Sequence, residues 1–178
     1  MSEEAQTVEE FSKQNKFIVY KSKSALNIEP WLNAGKVMLK IAPGFEGKSS
    51  SPQQGVAAYK WDEAINIGFS YQDMLKFSYK LTSMAYGDET ATYTKFADLS
   101  KVQGKDLKGQ KKLFVSPSSY ESRGKTVNII SVNLSLDDKK VSIALDYDEA
   151  YALAKHLEFI YQFTLNNTLK NESKYGKQ

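Results

Sequence analysis

One pattern is written twice in this chain. Residues 65–75 (INIGFSYQDML) run from an alternating strand, with Ile65, Ile67 and Phe69 on one face, through Ser70 as a helix N-cap into a helical first turn. Residues 141–151 (VSIALDYDEAY), 76 positions on, repeat the order with Val141, Ile143 and Leu145 alternating and Asp146 at the cap. Strand alternation puts such residues on one side of a sheet, and a Ser or Asp cap accepts an orphan N–H of the first turn. Two junctions of this kind, each preceded by strand-like runs, predict a duplicated α+β domain. In it two antiparallel sheets are each followed by a helix that covers an apolar face. A chain of 178 residues suffices for one such domain with two similar halves sharing a core.

In the first half, residues 17–28 (FIVYKSKSALNI) read as one long strand or a tight strand pair. Residues 36–42 alternate Val37, Leu39 and Ile41 against Met38 and Lys40 and stop at Pro43-Gly44; residues 59–69 read as the next strand. A helix follows from Ser70, with Tyr71, Met74, Leu75, Ser78, Leu81 and Ala85 at helical spacing, and ends at Gly87. In the second half, strands are expected at 90–96, 112–116, 126–136 and 140–145, with a hairpin turn at 137–140 (DDKK). Asp146 and Glu149 form a capping box. A long helix then carries Ala150, Leu153, Ala154, Leu157, Ile160 and Tyr161 on one face and fades beyond Asn166. The expected organisation is a disordered acidic leader (1–16), one domain of two repeats (17–87 and 88–165), and a flexible polar tail (166–178).

Several chemistries lack material. Cysteine is absent, which removes disulfides, thiolate catalysis and cysteine-based zinc sites; a Ser-His-Asp triad or an imidazole metal site would hang on His156 alone, which is read as a packed or half-exposed residue inside a helical pattern. Gly44-Phe45-Glu46-Gly47-Lys48-Ser49 has two residues where a phosphate loop needs four, and Ser50-Ser51-Pro52 follows where a helix is required. Its reading is a mobile loop with Lys48 exposed. The acid pairs Asp62-Glu63, Asp137-Asp138 and Asp148-Glu149 sit on a predicted strand, in a turn and in a helix first turn, where none makes a catalytic pair. The chain is therefore read as no enzyme, with no metal and no cofactor. No apolar run approaches the roughly 20 residues of a membrane span. The acidic start lacks the features of a targeting peptide, so a soluble protein is expected, cytoplasmic in a bacterial or virus-infected cell.

The formal net charge is +3, but the first ten residues hold four Glu and no base, leaving +7 on the rest. Nearly all of it is lysine. Arg123 is the only arginine, so reading of base edges by guanidinium forks has almost no material. Lysines instead interleave with aromatics: Tyr20-Lys21-Ser22-Lys23, Lys36 with Lys40, Tyr59-Lys60-Trp61, and a basic stretch over 101–125. Tyr20, Trp31, Phe45, Tyr59, Trp61, Phe114 and Tyr120 supply flat faces. An unpaired strand exposes both bases to stack and phosphates to neutralise, worth roughly 1–3 kcal/mol per stacked base. Duplex offers no such faces. Strand alternation also assigns several of these rings to the core, Tyr59 and Trp61 sharing parity with Ile65 and Ile67 unless a bulge intervenes.

The segment Lys21-Ser22-Lys23-Ser24-Ala25-Leu26-Asn27 resembles the Lys-Gly-Lys-Ala-Ala-Leu-Ser signature of the plant Whirly proteins, keeping both lysines, the second alanine and the leucine. Tyr59-Lys60-Trp61-Asp62 resembles the Tyr-Asp-Trp stretch of that family, and the repeated layout agrees over about 17–165. The resemblance implies two four-stranded antiparallel sheets packed with two helices, a homotetramer formed through the helices, and sequence-tolerant binding of single-stranded DNA along the sheets and between subunits. It implies Lys21 and Lys23 as backbone-facing cations, Lys23 also supporting higher assembly, with Lys60 and Trp61 next. Ser22 and Ser24 depart from the signature, and the polar, basic end departs from the acidic tail that single-strand binders often carry. A bacterial or phage relative serving replication, recombination or repair is expected. The candidate contact set is Lys21, Lys23, Tyr20, Trp31, Lys36, Lys40, Tyr59, Lys60, Trp61, Phe114 and Tyr120. Two alternatives stay open: single-stranded RNA as ligand, and a small-molecule or lipid carrier with a sheet wrapped round the C-terminal helix.

Overall fold

The computed structural model describes residues 8–32, 35–45, 59–99 and 109–175. Helix α1 (Val8–Gln14) leads into strands β1 (Phe17–Tyr20), β2 (Ser24–Trp31), β3 (Lys36–Pro43) and β4 (Ile65–Phe69), followed by helix α2 (Tyr71–Ala85). Strands β5 (Tyr93–Asp98), β6 (Gln110–Ser122), β7 (Lys125–Leu136) and β8 (Lys139–Leu145) come next, followed by helix α3 (Tyr147–Tyr175). Each set of four is an antiparallel meander in chain order. The expected duplication is thus present: β4 and β8, and the starts of α2 and α3, stand 76 residues apart. A sheet wrapped round a single helix is not what forms.

One apolar core joins both halves. Leu26, Ile28, Val37, Leu39, Ile41, Ile67 and Phe69 face inward from the first sheet, and Leu113, Val115, Ile130, Val132, Leu134 and Leu145 from the second. Phe69 stacks on Phe77 of α2 at 5.1 Å between ring centroids, and Tyr93 of β5 packs against Phe77 at 4.8 Å. Each such fully buried side chain contributes about 1.5–3 kcal/mol by leaving water. Both predicted caps form: Ser70 Oγ accepts from Asp73 N–H, and Asp146 and Glu149 exchange side-chain and backbone bonds at 2.9 Å. Where the sheets meet, Ser24 Oγ donates to Ser142 O (2.8 Å) and Lys111 Nζ to Asn66 Oδ1 (3.0 Å). Burial lowers the pKa of Lys111.

Four expectations are corrected. Residues 59–69 are not one strand: Tyr59 makes an isolated bridge with Gly44, a 3₁₀ turn spans Trp61–Glu63, and only Ile65–Phe69 is β. Asp62 and Glu63 therefore lie in that turn rather than on a strand. Both β2 and β6 run past a proline that sequence punctuation favours as a stop. Pro30 lies beyond the last β1 partner and Pro117 beyond the last β5 partner, edge positions where a missing N–H is tolerated. Within the leader, α1 is helical because Phe11 is buried against Phe163, rings stacked at 3.5 Å; a seven-residue helix has no stability of its own. At the other end, α3 continues through the tail to Tyr175. Lys48 and residues 101–108 of the basic stretch lie outside the described residues.

Candidate nucleic-acid interface

The Lys21-Ser22-Lys23 segment is the turn between β1 and β2, closed by Lys21 N–H to Ser24 O (2.9 Å). Two outside groups hold it. Gly44 N–H donates to Lys23 O (2.8 Å) and the Tyr59 hydroxyl to Lys21 O (2.8 Å). A Cβ at Gly44 would lie 3.2 Å from the Lys23 carbonyl carbon and oxygen, so a side chain here would push the turn away. Tyr59 is 5% exposed, packed with Ala25 and Ala42 on the outer side of the first sheet, and Tyr20 stacks over it at 5.4 Å. Tyr59 is thus removed from the set of contact rings. Its ring supports the turn and supplies a base on which Tyr20 is presented.

The two signature lysines have different surroundings. Lys21 Nζ lies 2.6 Å from Glu149 and 3.6 Å from Asp146 at the start of α3, so its charge is already answered. Lys23 is exposed, and no carboxylate pairs with it among the described residues. Further across the outer face, Trp31 pairs in register with Lys36. Lys40 Nζ sits 5.6 Å from the Trp31 ring centre and bonds Glu29 at 2.8 Å, a carboxylate that Lys16 also holds at 2.9 Å. Burial alone would raise the Glu29 pKa, but the hydrogen bonds from Lys40 and Lys16 outweigh it and hold the carboxyl below its ordinary 4.5. Lys60 pairs with Glu63 (3.1 Å) and lies over Phe45, while Trp61 is exposed. Of the predicted cations, Lys21, Lys40 and Lys60 are thus engaged with acids; Lys23 and Lys36 are exposed and have no carboxylate partner among the described residues.

The second sheet carries a cleaner site. Its outer face presents Phe96 (55% exposed) on β5 and Phe114 (36%) on β6, with Lys112 directly across from Phe96. The Lys112 ammonium lies 5.6 Å from the Phe96 ring centre and 5.9 Å from that of Phe114. Beside Phe114 in register is Asn133, which accepts from Ser142 Oγ and donates to Ser131 Oγ, a row of small polar groups level with the rings. Two ring faces and a shared cation with no carboxylate partner among the described residues can hold a flat π system carrying a nearby negative charge. Sequence reasoning found Phe114 and Tyr120, both exposed here, but missed Phe96 and did not single out Lys112. Period-two alternation over 93–98 placed Phe96 opposite to Tyr93 and Lys95, and that was the available signal.

Among the described residues, no group of three or more His, Asp or Glu converges to hold a metal ion, and no helix is long and apolar enough to cross a membrane. His156 is half-buried on α3, with Nε2 3.1 Å from Asn15 O and its ring 5.4 Å from Phe17. Burial lowers its pKa below 6.5, against the hydrogen bond to Asn15.

The fold is Whirly-like. The structure matches that of the plant transcriptional regulator PBF-2 with a TM-score of 0.55 at 19% identity, over 89% of this chain and 86% of that one. It matches WHY1 from Arabidopsis thaliana with a TM-score of 0.53 at 17% identity, over 84% and 89% of the respective chains. It matches WHY3 from Arabidopsis thaliana with a TM-score of 0.57 at 20% identity, over 89% and 94%. No protein-family model and no curated relative matches the sequence.

Proposed function

We propose that this protein binds single-stranded DNA without reading its sequence and without chemical change, acting on strands exposed in replication, recombination or repair. The observation that carries the reading is the outer face of the second sheet, where Phe96 and Phe114 stand exposed beneath the Lys112 ammonium. On the first sheet the exposed rings Trp31 and Tyr20 lie in the same region as exposed lysines, Lys36 opposite Trp31 in register and Lys23 in the turn that follows Tyr20. Rings accept any base, lysines accept any phosphate, and the one arginine leaves little means of recognising base edges.

The helices support assembly. On the side of α2 and α3 away from the sheets, Tyr79 and Tyr86 are exposed, and Tyr86 meets Tyr151 edge to face at 5.7 Å. A groove of about 440 Å³ lies alongside, lined by Leu75, Ser78, Tyr79, Glu158 and Gln162. Such a face is suited to packing against another copy, and a homotetramer through the helices would place several sheet faces side by side.

Titration with oligo-dT and with duplex DNA, followed by the fluorescence of Trp31 and Trp61, tests the reading. Oligo-dT is expected to bind more tightly and to quench. Its log affinity should fall with log salt by about 0.7 per phosphate neutralised. Equal affinity for duplex would remove the stacking argument. Scattering should give the mass of four copies of the 20.1 kDa chain; a monomer mass would remove the tetramer.

A further inference from the structure

The β6–β7 hairpin is longer than the sheet that holds it. Its two strands pair from Lys111 with Leu136 out to Ser122 with Lys125, whereas β5 accompanies β6 only to Val115 and β8 accompanies β7 only from Ile130. Residues 118–129 therefore form a two-stranded arm with no further strand on either edge among the described residues, reaching about 15 Å beyond the sheet at some 3.4 Å per residue. Globular proteins keep such edges short. This one is closed by a two-residue loop, Arg123 and Gly124, with φ of 52° and 72°. In that turn Asn, Asp or Gly is favoured at the first position, because a residue with a longer side chain is strained there. The chain instead places its only arginine at this tip. Among the described residues no carboxylate pairs with Arg123 or Lys125, and the nearby Glu121 is taken by the Thr126 hydroxyl at 2.6 Å.

Along β6 the alternation continues from the ring site to the tip. Lys112, Phe114, Ser116, Ser118 and Tyr120 share one face of the strand, and Tyr120 is 51% exposed. Phe114 and Tyr120 are six residues apart, about 20 Å.

We infer that the arm extends the binding track, with Tyr120 stacking a further base and the Arg123 guanidinium gripping a backbone phosphate through two N–H groups, Lys125 adding a point charge. The inference rests on the single-strand reading above and adds a footprint and a phosphate ligand to it. The forked guanidinium matches phosphate oxygens as lysine does not. A shallow cavity at the base of the arm is lined by Pro117, Ser118, Ser119 and Asn128 together with Glu89 and Tyr147, so a chain passing here would run past one carboxylate and the Tyr147 ring before it reaches the arm's outer part.

Two variants test this. Arg123→Asn removes the guanidinium while fitting the turn better, so its melting temperature should equal or exceed that of wild type. Replacing residues 119–128 by Asn-Gly keeps Ser118 opposite Ile129 and removes the arm. Fluorescence polarisation with oligo-dT of graded length is read at low and moderate salt. Arg123→Asn should bind long oligonucleotides about three- to tenfold more weakly, with a salt slope smaller by about 0.7, and bind short ones as wild type does. The shortened protein should saturate on a shorter oligonucleotide. Unchanged affinity and slope for Arg123→Asn at every length would overturn the arm's role, and the single-strand reading would survive if Phe114→Ala still weakened binding. Failure of wild type to bind oligo-dT would overturn both. Loss of assembly mass in the shortened protein with intact oligonucleotide binding would assign the arm to a second copy, against the inference.

Discussion

Phe114→Ala is the substitution that bears most directly on the ring site. The side chain lies on the outer face of β6 between Thr94 and Asn133, and is 36% exposed, so its removal opens no cavity in the core. The cost to folding should be about 1 kcal/mol or less, the span of strand preference at a half-buried position. The cost to binding is larger. One stacked base is worth roughly 1–3 kcal/mol, a factor of about 5 to 150 in affinity at 1.4 kcal/mol per tenfold. Lys112 also loses one of the two rings its ammonium rests on. Salt separates the two contributions: Phe114→Ala should lower affinity equally at all salt concentrations, while Lys112→Ala should reduce the slope by about 0.7. Phe114→Leu keeps apolar area without a π face and should fall near Ala. Polarisation with labelled oligo-dT, alongside thermal melts, reads all three. Affinities for Phe114→Ala and Phe114→Leu within twofold of wild type, with folding intact, would refute stacking at this site.

Glu149→Gln keeps the capping geometry but removes the nearer of the two carboxylates that hold Lys21, leaving Asp146 at 3.6 Å, so it should tighten oligonucleotide binding at low salt and steepen the salt dependence; weaker binding would show that Lys21 does not face the strand. Phe11→Ala should free α1 from Phe163 and Phe159, which hydrogen exchange over residues 8–14 would show as fast exchange with the sheets still protected. Stability should fall on acidification. His156, depressed by burial, contributes in its neutral form above its unfolded value of 6.5, and this is lost as pH drops below that value toward the folded pKa. His156→Gln should flatten the melting temperature between pH 7 and 5, and an unchanged profile would exclude His156 as the titrating group.

The ends of each repeat were legible in the sequence because local chemistry and global packing agree there. Strand alternation, a cap and a helical stripe occur in that order at β4–α2 and again at β8–α3, and each signal is carried within a dozen residues. What was not legible depends on partners distant in the chain. Nothing local shows that Phe11 will stack on Phe163, 152 positions away, or that Tyr59 will lie down on the outer face of the first sheet and hold the Lys21 carbonyl. Ion pairing is of the same kind: Lys21 reads as a free cation until α3 brings Glu149 beside it.

The repeat also explains why the ring site was half seen. Counted from the first strand of each half, β1 and β5 stand 76 residues apart just as β4 and β8 do, which sets Tyr20 of the first sheet against Phe96 of the second. Both are exposed rings at the outer face of the opening strand. A register carried from the helix junctions back to those strands would have named Phe96 beside Tyr20. Between these fixed ends the halves differ. The first spends its chain on the connection from β3 to β4, and the second spends it on the β6–β7 arm. Duplication thus constrains the frame that buries apolar surface, whereas the middle of each half is free to diverge without disturbing either core face. The exposed arm, with Arg123 at a φ of 52°, lies in that freer part, where a strained backbone position persists because the hairpin pairing on either side holds it.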